Sequence, residues 1–307
     1  MNPSLGSSID FTEKIRQSVI AVPPLCRKSN LVVCPEENQR VITYLRAGGI
    51  KTFLYGGNAV FYHIRPSEYA ETVAMLCELS GSAAWMIPSL GPSFGMMMDQ
   101  AQELSRLPID TAMVLPQNDI KDSGGIERGI QLVVDKMGKP VVLYLKFDRW
   151  LPVEAVERLV NDGAVSWIKY AVVKSNPADD PYLKELLERI SPELFVSGMG
   201  EQPAICHMRE FRMGGFTSGC VCVRPDLSTQ LLHSIQGGDW NGAEELRRVF
   251  EPLEDLRNAI SPIRVLHEAV RGAGIADTGP LLPLLSDLDL EQSQKIGLVA
   301  NALRNCV

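Results

Sequence analysis

Several large classes of protein leave marks that this 307-residue chain does not carry. It has no basic run interleaved with aromatic residues, and its net charge is −7, so a nucleic-acid partner is not expected. Its apolar runs are too short to span a bilayer, and residues 1–8 lack the basic stretch and apolar core of a secretory leader. No membrane partner is expected either. The seven cysteines, Cys26, Cys34, Cys77, Cys206, Cys220, Cys222 and Cys306, have neither the paired spacing of a zinc site nor that of a disulfide framework. Their odd number points to a reducing compartment, and a cytoplasmic protein with no bound metal is the expectation. Low-complexity segments and internal repeats are absent. What remains, 45% hydrophobic and 22% charged, is an ordinary globular composition with material for a large core, suited to small-molecule partners.

Short β-branched or apolar runs recur at 19–22, 52–55, 83–88, 111–115, 141–145, 165–171, 194–197 and 216–218. Helical patterns separate them. Residues 67–77 follow Pro66 and place Tyr69, Val73 and Leu76 on one face, while 152–160 and 181–190 carry proline in the first turn. This alternation predicts an α/β fold of eight βα units closed into a (β/α)8 TIM barrel, with chemistry at the C-terminal ends of the strands. No Gly-x-Gly-x-x-Gly follows the first strand, so a dinucleotide cofactor has no fingerprint here. From Pro225 onward only helical patterns appear. The division expected is a barrel carrying the active site over 1–224 and a C-terminal helical extension over 225–307.

The residue that needs most explanation is Lys169, inside the apolar run 165–173. Burial disfavours an ammonium and lowers its pKa, and a neutral amine attacks ketones and aldehydes to form Schiff bases. The alternative is a lysine near a strand end that snorkels to water. Tyr144 lies on the preceding strand, where its phenol could share protons with such an amine, or could equally be a core tyrosine satisfied by a backbone carbonyl. Gly56, Gly57 and Asn58, directly after the second strand, could turn successive N–H groups toward a substrate carboxylate, or simply turn a tight loop. Arg149 is placed to hold an anion at the barrel mouth, or to lie solvated in its loop. One competing motif, Gly91-Pro92-Ser93-Phe94-Gly95, matches the Gly-x-Ser-x-Gly of serine hydrolases, although its lead-in from the strand is loose. Adjacent Cys206 and His207 have no metal spacing around them.

Together these segments resemble the dihydrodipicolinate synthase and N-acetylneuraminate lyase family of Schiff-base class I aldolases and lyases. Residues 54–59 stand where that family has its Gly-x-x-Gly-Glu/Asn carboxylate loop, and 142–144 with Arg149 stand at its Leu-Tyr-Asn-x-Pro-x-Arg. Residues 167–171 resemble its Gly-Ile-Lys-Glu/Asp-Ser, 196–198 its Ser-Gly-Asp-Asp turn, 214–219 its Gly-x-Ile-Ser strand and 261–265 its Asn-Pro-x-x-x-Lys helix start. The resemblance implies that Lys169 forms the imine, Tyr144 relays protons, the amides near Gly56 and Gly57 grip a carboxylate and Thr217 lines the pocket. It implies a lyase or aldolase on a 2-oxo acid, pyruvate or a 2-keto-3-deoxy sugar acid, needing no cofactor and working as a homotetramer or dimer. Tyr55 and Gly56 replace the family's paired threonines, and 115–118 replace its Pro-Tyr-Tyr. Both departures count against the lysine-biosynthetic reaction. Lys146, at the usual asparagine position, adds a cation that with Arg149 suits a more anionic substrate. Two other readings are a barrel altered into a 2-oxo acid binding or regulatory protein, and a serine hydrolase using Ser93.

Overall fold

The computed structural model describes residues 9–306. Helix α1 (Phe11–Arg16) leads into β1 (Ile20–Ala21), α2 (Pro35–Ala47), β2 (Thr52–Tyr55), α3 (Pro66–Ser80) and β3 (Trp85–Leu90). Next come α4 (Phe94–Leu104), β4 (Ala112–Val114), α5 (Ser123–Met137), β5 (Val141–Leu145), α6 (Val153–Asn161) and β6 (Val165–Tyr170). The barrel ends with α7 (Pro181–Leu187), β7 (Phe195–Ser197), α8 (Ala204–Glu210) and β8 (Gly215–Ser218). All eight strands are parallel and pair in chain order, with β8 returning to β1, so the sheet closes. The expected (β/α)8 barrel is borne out. The strands have few polar residues because both their faces are covered, one by the barrel interior and one by helices.

Local chemistry sets the boundaries. Asp122, Asp180 and Asp239 cap helices by accepting N–H bonds in the first turn, and Gly138 ends α5 in the left-handed region at φ 69°. The run expected at 83–88 is displaced to Trp85–Leu90, beyond Pro88. Proline has no N–H to give a ladder, and at Pro88 the strand passes from pairing with β2 to pairing with β4. Between β5 and β6 the register slips: Val141 faces Val165 but Val142 faces Trp167, leaving Ser166 as a bulge that sets Lys169 opposite Tyr144.

Trp85 and Trp167 meet across the barrel interior with ring centroids 6.4 Å apart, and Phe11 of α1 stacks beneath Trp85 at 6.0 Å. The N-terminal end of the barrel is thus plugged by aromatic surface. The helices α9 (Pro225–Gly237), α10 (Trp240–Ala259), α11 (Pro262–Gly272) and α12 (Leu290–Asn305) follow. Hydrogen bonds stitch them to the barrel: Ser228 Oγ donates to Glu201, the Arg27 N–H to the Thr278 carbonyl and the Asp277 N–H to Glu37. None of the described helices is long and apolar enough to cross a membrane.

Candidate active site

Because Trp167 points inward, Lys169, two residues on, points inward one layer higher, toward the C-terminal end. Its side chain is 6% exposed, above the Trp167 and Trp85 floor. Burial therefore dominates its electrostatics, and with Lys146 and Arg257 adding like-charge repulsion the amine is pulled down to a pKa of about 7. Near neutral pH about half the population is an uncharged nucleophile. The strand that carries it is held from outside: neighbouring Tyr170 points the other way and donates to the buried carboxylate of Asp180 at 2.6 Å.

Tyr144 stands opposite Lys169 in the β5–β6 register, and the Lys169 Nζ lies 4.7 Å from the centroid of its ring. The amine is over the face of the phenol, with no hydrogen bond to the hydroxyl among the described residues. Burial pushes the Tyr144 hydroxyl well above the ordinary tyrosine range, with nearby Tyr62 adding to the shift, so it stays protonated. Tyr62, in the one-turn helix Phe61–His63 after β2, is a second phenol pushed up to about 12, by burial. Lys146 joins the group from the end of β5. Its Nζ is 5.8 Å from the Tyr62 ring centroid and 5.7 Å from that of Phe147, and burial lowers its pKa.

The loop after β2 is tightly built. The carbonyls of Gly56 and Gly57 accept from Phe61 and Val60, whereas the N–H groups of Gly57, Asn58 and Ala59 have no acceptor among the described residues. Val60 holds the turn in the left-handed region at φ 56°, costly for a β-branched residue. Asn58 is spent on structure: its Nδ2 donates to the Val22 carbonyl at 2.8 Å, and its own carbonyl accepts from His267 Nε2 at 2.7 Å. A Cβ at Gly56 would stand 2.5 Å from Ser89 Oγ and 2.7 Å from Met113 Cε. A threonine there would require the Ser89 hydroxyl and the Met113 terminal methyl to move aside. The Ser89 hydroxyl, fully buried and without a partner among the described residues, occupies that space instead. Sequence reasoning missed Ser89, since its only signal is a polar residue inside an apolar strand.

On the far side of Lys169, Gly198 gives its side chain room, because a Cβ there would lie 2.7 Å from Ala171 Cβ and 3.1 Å from Lys169 Cγ. Thr217 on β8 is buried and shares the inward face with Gly215, whose row runs through Val196 to Lys169. Glu201 and Glu254 form a buried carboxyl pair beside it. Glu201 accepts from Ser218 at 2.6 Å and Ser228 at 2.8 Å, Glu254 accepts the Glu201 N–H at 2.7 Å, and burial raises both pKa values. Arg257 of α10 lies against Gly219, immediately past β8. No spacing signal announces Arg257 in the sequence.

Arg149 turns away from this group. Its guanidinium forms a fork with the Glu185 carboxylate at 2.5 and 2.8 Å, over the Tyr182 ring. Ser93 is the exposed residue before α4, with no histidine hydrogen-bonded to it. His207 is bonded to Ser197 Oγ at 2.8 Å and His267 to Asn58, and burial lowers each to about 4. The described residues hold no cluster of His, Cys, Asp and Glu suited to a metal ion.

No family model matches the chain. Among proteins of known sequence, it is 21% identical over 263 residues to one described as a probable 5-dehydro-4-deoxyglucarate dehydratase from Pseudomonas entomophila (strain L48), covering 83% of this chain and 84% of that one. Among solved structures, dihydrodipicolinate synthase from Bacillus clausii superposes with a TM-score of 0.83 at 18% identity, over 95% of this chain and 98% of its own. The enzyme from Oceanobacillus iheyensis gives the same TM-score and identity over 97% and 100%. The structures share the fold, and both comparisons agree with the resemblance read from the sequence. The relative matched by sequence is described as a dehydratase and those matched by structure as synthases, in line with the expected carbon–carbon or carbon–oxygen lyase.

Proposed function

We propose that the chain is a Schiff-base-forming lyase acting on a 2-oxo acid, of the pyruvate or 2-keto-3-deoxy sugar acid class. One observation carries the reading: an amine held near a pKa of 7 over the face of a buried, protonated phenol. The neutral Lys169 Nζ adds to the 2-oxo carbon, and loss of water from the carbinolamine leaves an iminium that withdraws electrons from the adjacent carbon. Tyr144 keeps its proton at neutral pH, so it acts as the acid toward the departing hydroxyl and recovers the proton in the reverse steps. The unpaired amides of 57–59 suit the substrate carboxylate. The 2-oxo acid enters with no cofactor, and the protein works as a homo-oligomer, dimer or tetramer, in the cytoplasm. The relative's name, a dehydratase of a keto-deoxy sugar acid, supports loss of water as the outcome at the activated carbon.

Borohydride reduction in the presence of pyruvate tests the imine. A stable mass increase on Lys169 is expected, absent from Lys169→Ala. A chain that takes up no mass, or takes it up equally without the lysine, is not a Schiff-base enzyme. Tyr144→Phe is expected to lose about 10²–10⁴-fold in turnover, read by release of pyruvate or 2-ketoglutarate semialdehyde from a panel of sugar acids, while trapping stays detectable. Unchanged turnover would remove the phenol from the mechanism.

A further inference from the structure

Two cations stand on opposite sides of Lys169 without an ion pair among the described residues, although the buried Glu254 carboxyl, one turn back along α10, lies within electrostatic reach of Arg257. Lys146 follows β5, the neighbour of β6 on one side, and its Nζ reaches Tyr62, just past the 56–60 loop. Arg257 reaches the end of β8, two strands away on the other side, from a helix outside the barrel. Among the described residues neither has a carboxylate within 4.0 Å, whereas Arg149, Arg158, Arg189 and Arg247 all do. Arg257 gives one N–H to the Pro262 carbonyl at 3.2 Å and lies 3.9 Å from the Cys220 thiol, which leaves most of its five donors unused. Such a guanidinium in a partly buried place is costly unless an anion completes it.

A slot has been built for it. A Cβ on Gly219 would meet Arg257 Nη2, Cζ and Nη1 at 2.7, 2.8 and 2.9 Å, the three nearest atoms to that position. The Gly219 backbone is in the right-handed region at φ −90°, ψ −40°, so its conformation does not call for glycine; a side chain there would displace the guanidinium end of Arg257. Between Arg257 and Lys169, Gly198 leaves the end of β7 without a side chain, and both cations act on the Lys169 amine.

We propose that Arg257, delivered to the barrel mouth by the helical extension, is a specificity-determining residue that binds a second, distal carboxylate, so that the substrate is a 2-oxo diacid. This rests on the imine reading of Lys169. The carboxylate next to the reacting carbonyl lies at the pole formed by Lys146 and the loop amides, the carbonyl lies at Lys169, and the far carboxylate takes the planar fork of Arg257. A monoanion such as pyruvate leaves the Arg257 pole empty.

Unreactive acids test the inference without imine chemistry. Calorimetric titrations of the full chain with the C4 to C7 straight-chain diacids, each beside the monoacid of equal length, are expected to show at least one diacid binding about tenfold or more tighter than its monoacid. Arg257→Gln and Gly219→Ala should erase that preference, and Arg257→Lys, which keeps the charge but loses the fork, should keep part of it. The pH profile of pyruvate trapping supplies a second readout that loss of a structural contact would not move: removing the guanidinium should shift its midpoint near pH 7 to higher pH, since one cation fewer favours the protonated amine. Equal binding of diacids and monoacids by the native chain, or a preference that survives Arg257→Gln, overturns the proposal. A chain that prefers diacids through Arg257 yet traps no pyruvate would sink the imine reading, and with it the 2-oxo substrate, while leaving Arg257 as the carboxylate site.

Discussion

At the scale of single residues, the buried amine has a cost that can be measured. In the unfolded chain lysine titrates near 10.5, whereas Lys169 in the barrel titrates near 7, so folding at pH 7 releases about half a proton from it. The depressed value is a penalty on the folded state, on the order of 4 kcal/mol at pH 7. It is fully present below pH 7, where both states are otherwise protonated, declines between pH 7 and 10.5, and vanishes above 10.5. Lys169→Met, which keeps the stem and drops the charge, is therefore expected to unfold several degrees higher than the native chain at pH 7. That gain should shrink as the pH approaches 10.5. Thermal melts of both proteins at pH 6, 8 and 10 give the comparison, and a destabilised variant at pH 6 would show that the amine is not held against its solvation. The residue was legible in the sequence because eight positions of nearly unbroken apolar character surround one charge. Ser89 and Arg257 were not, since an orphaned hydroxyl and an unpaired guanidinium are defined by what lies next to them in space.

At the scale of elements, most strands could be read because both of their faces are buried, which writes an unbroken apolar run into the sequence; 52–55 and 141–145 match to the residue. The displaced β3 shows the limit, because a proline that ends an isolated strand is tolerated where the ladder changes partners. The Ser166 bulge was equally hidden, since a one-residue slip depends on the partner strand. Where elements meet at the site, glycine is set by clearance. A methyl at Gly198 would press on Ala171 Cβ at 2.7 Å, the Tyr170 carbonyl at 2.8 Å and the Lys169 stem at 3.1 Å, two of them parts of the barrel that cannot swing away. Gly198→Ala is expected to cost about 1–3 kcal/mol by overpacking and to slow pyruvate trapping by displacing the amine from the Tyr144 face. Denaturant titration and trapping rate read the two effects. Native stability with native trapping would mean that the β6 and β7 ends separate freely.

At the scale of the whole molecule, the division at residue 224 is a boundary of pattern, helix-only beyond it, and the contacts run across it. The loop amides that suit a carboxylate are fixed by Asn58, whose carbonyl is held by His267 of α11. The turn after β7 is fixed by Glu201, whose buried carboxylate takes a hydrogen bond from Ser228 of α9 and whose N–H is received by Glu254 of α10. Removing 225–307 would strip each of these partners at once. It would leave a buried carboxylate with one of its two hydroxyl donors gone and the apolar faces of α2 and the one-turn helix Cys220–Cys222 uncovered, losses to be set against the roughly 5–15 kcal/mol by which a domain is typically stable. The chain 1–224 is expected to lack a cooperative thermal transition and to trap no pyruvate. The full chain carrying His267→Ala, which removes only the hold on Asn58, should keep its transition and bind carboxylates more weakly. A truncated barrel that melts cooperatively and still forms the imine would mean that the extension decorates the site; failure of the truncation together with weaker binding in the full-length variant would mean that the extension builds it.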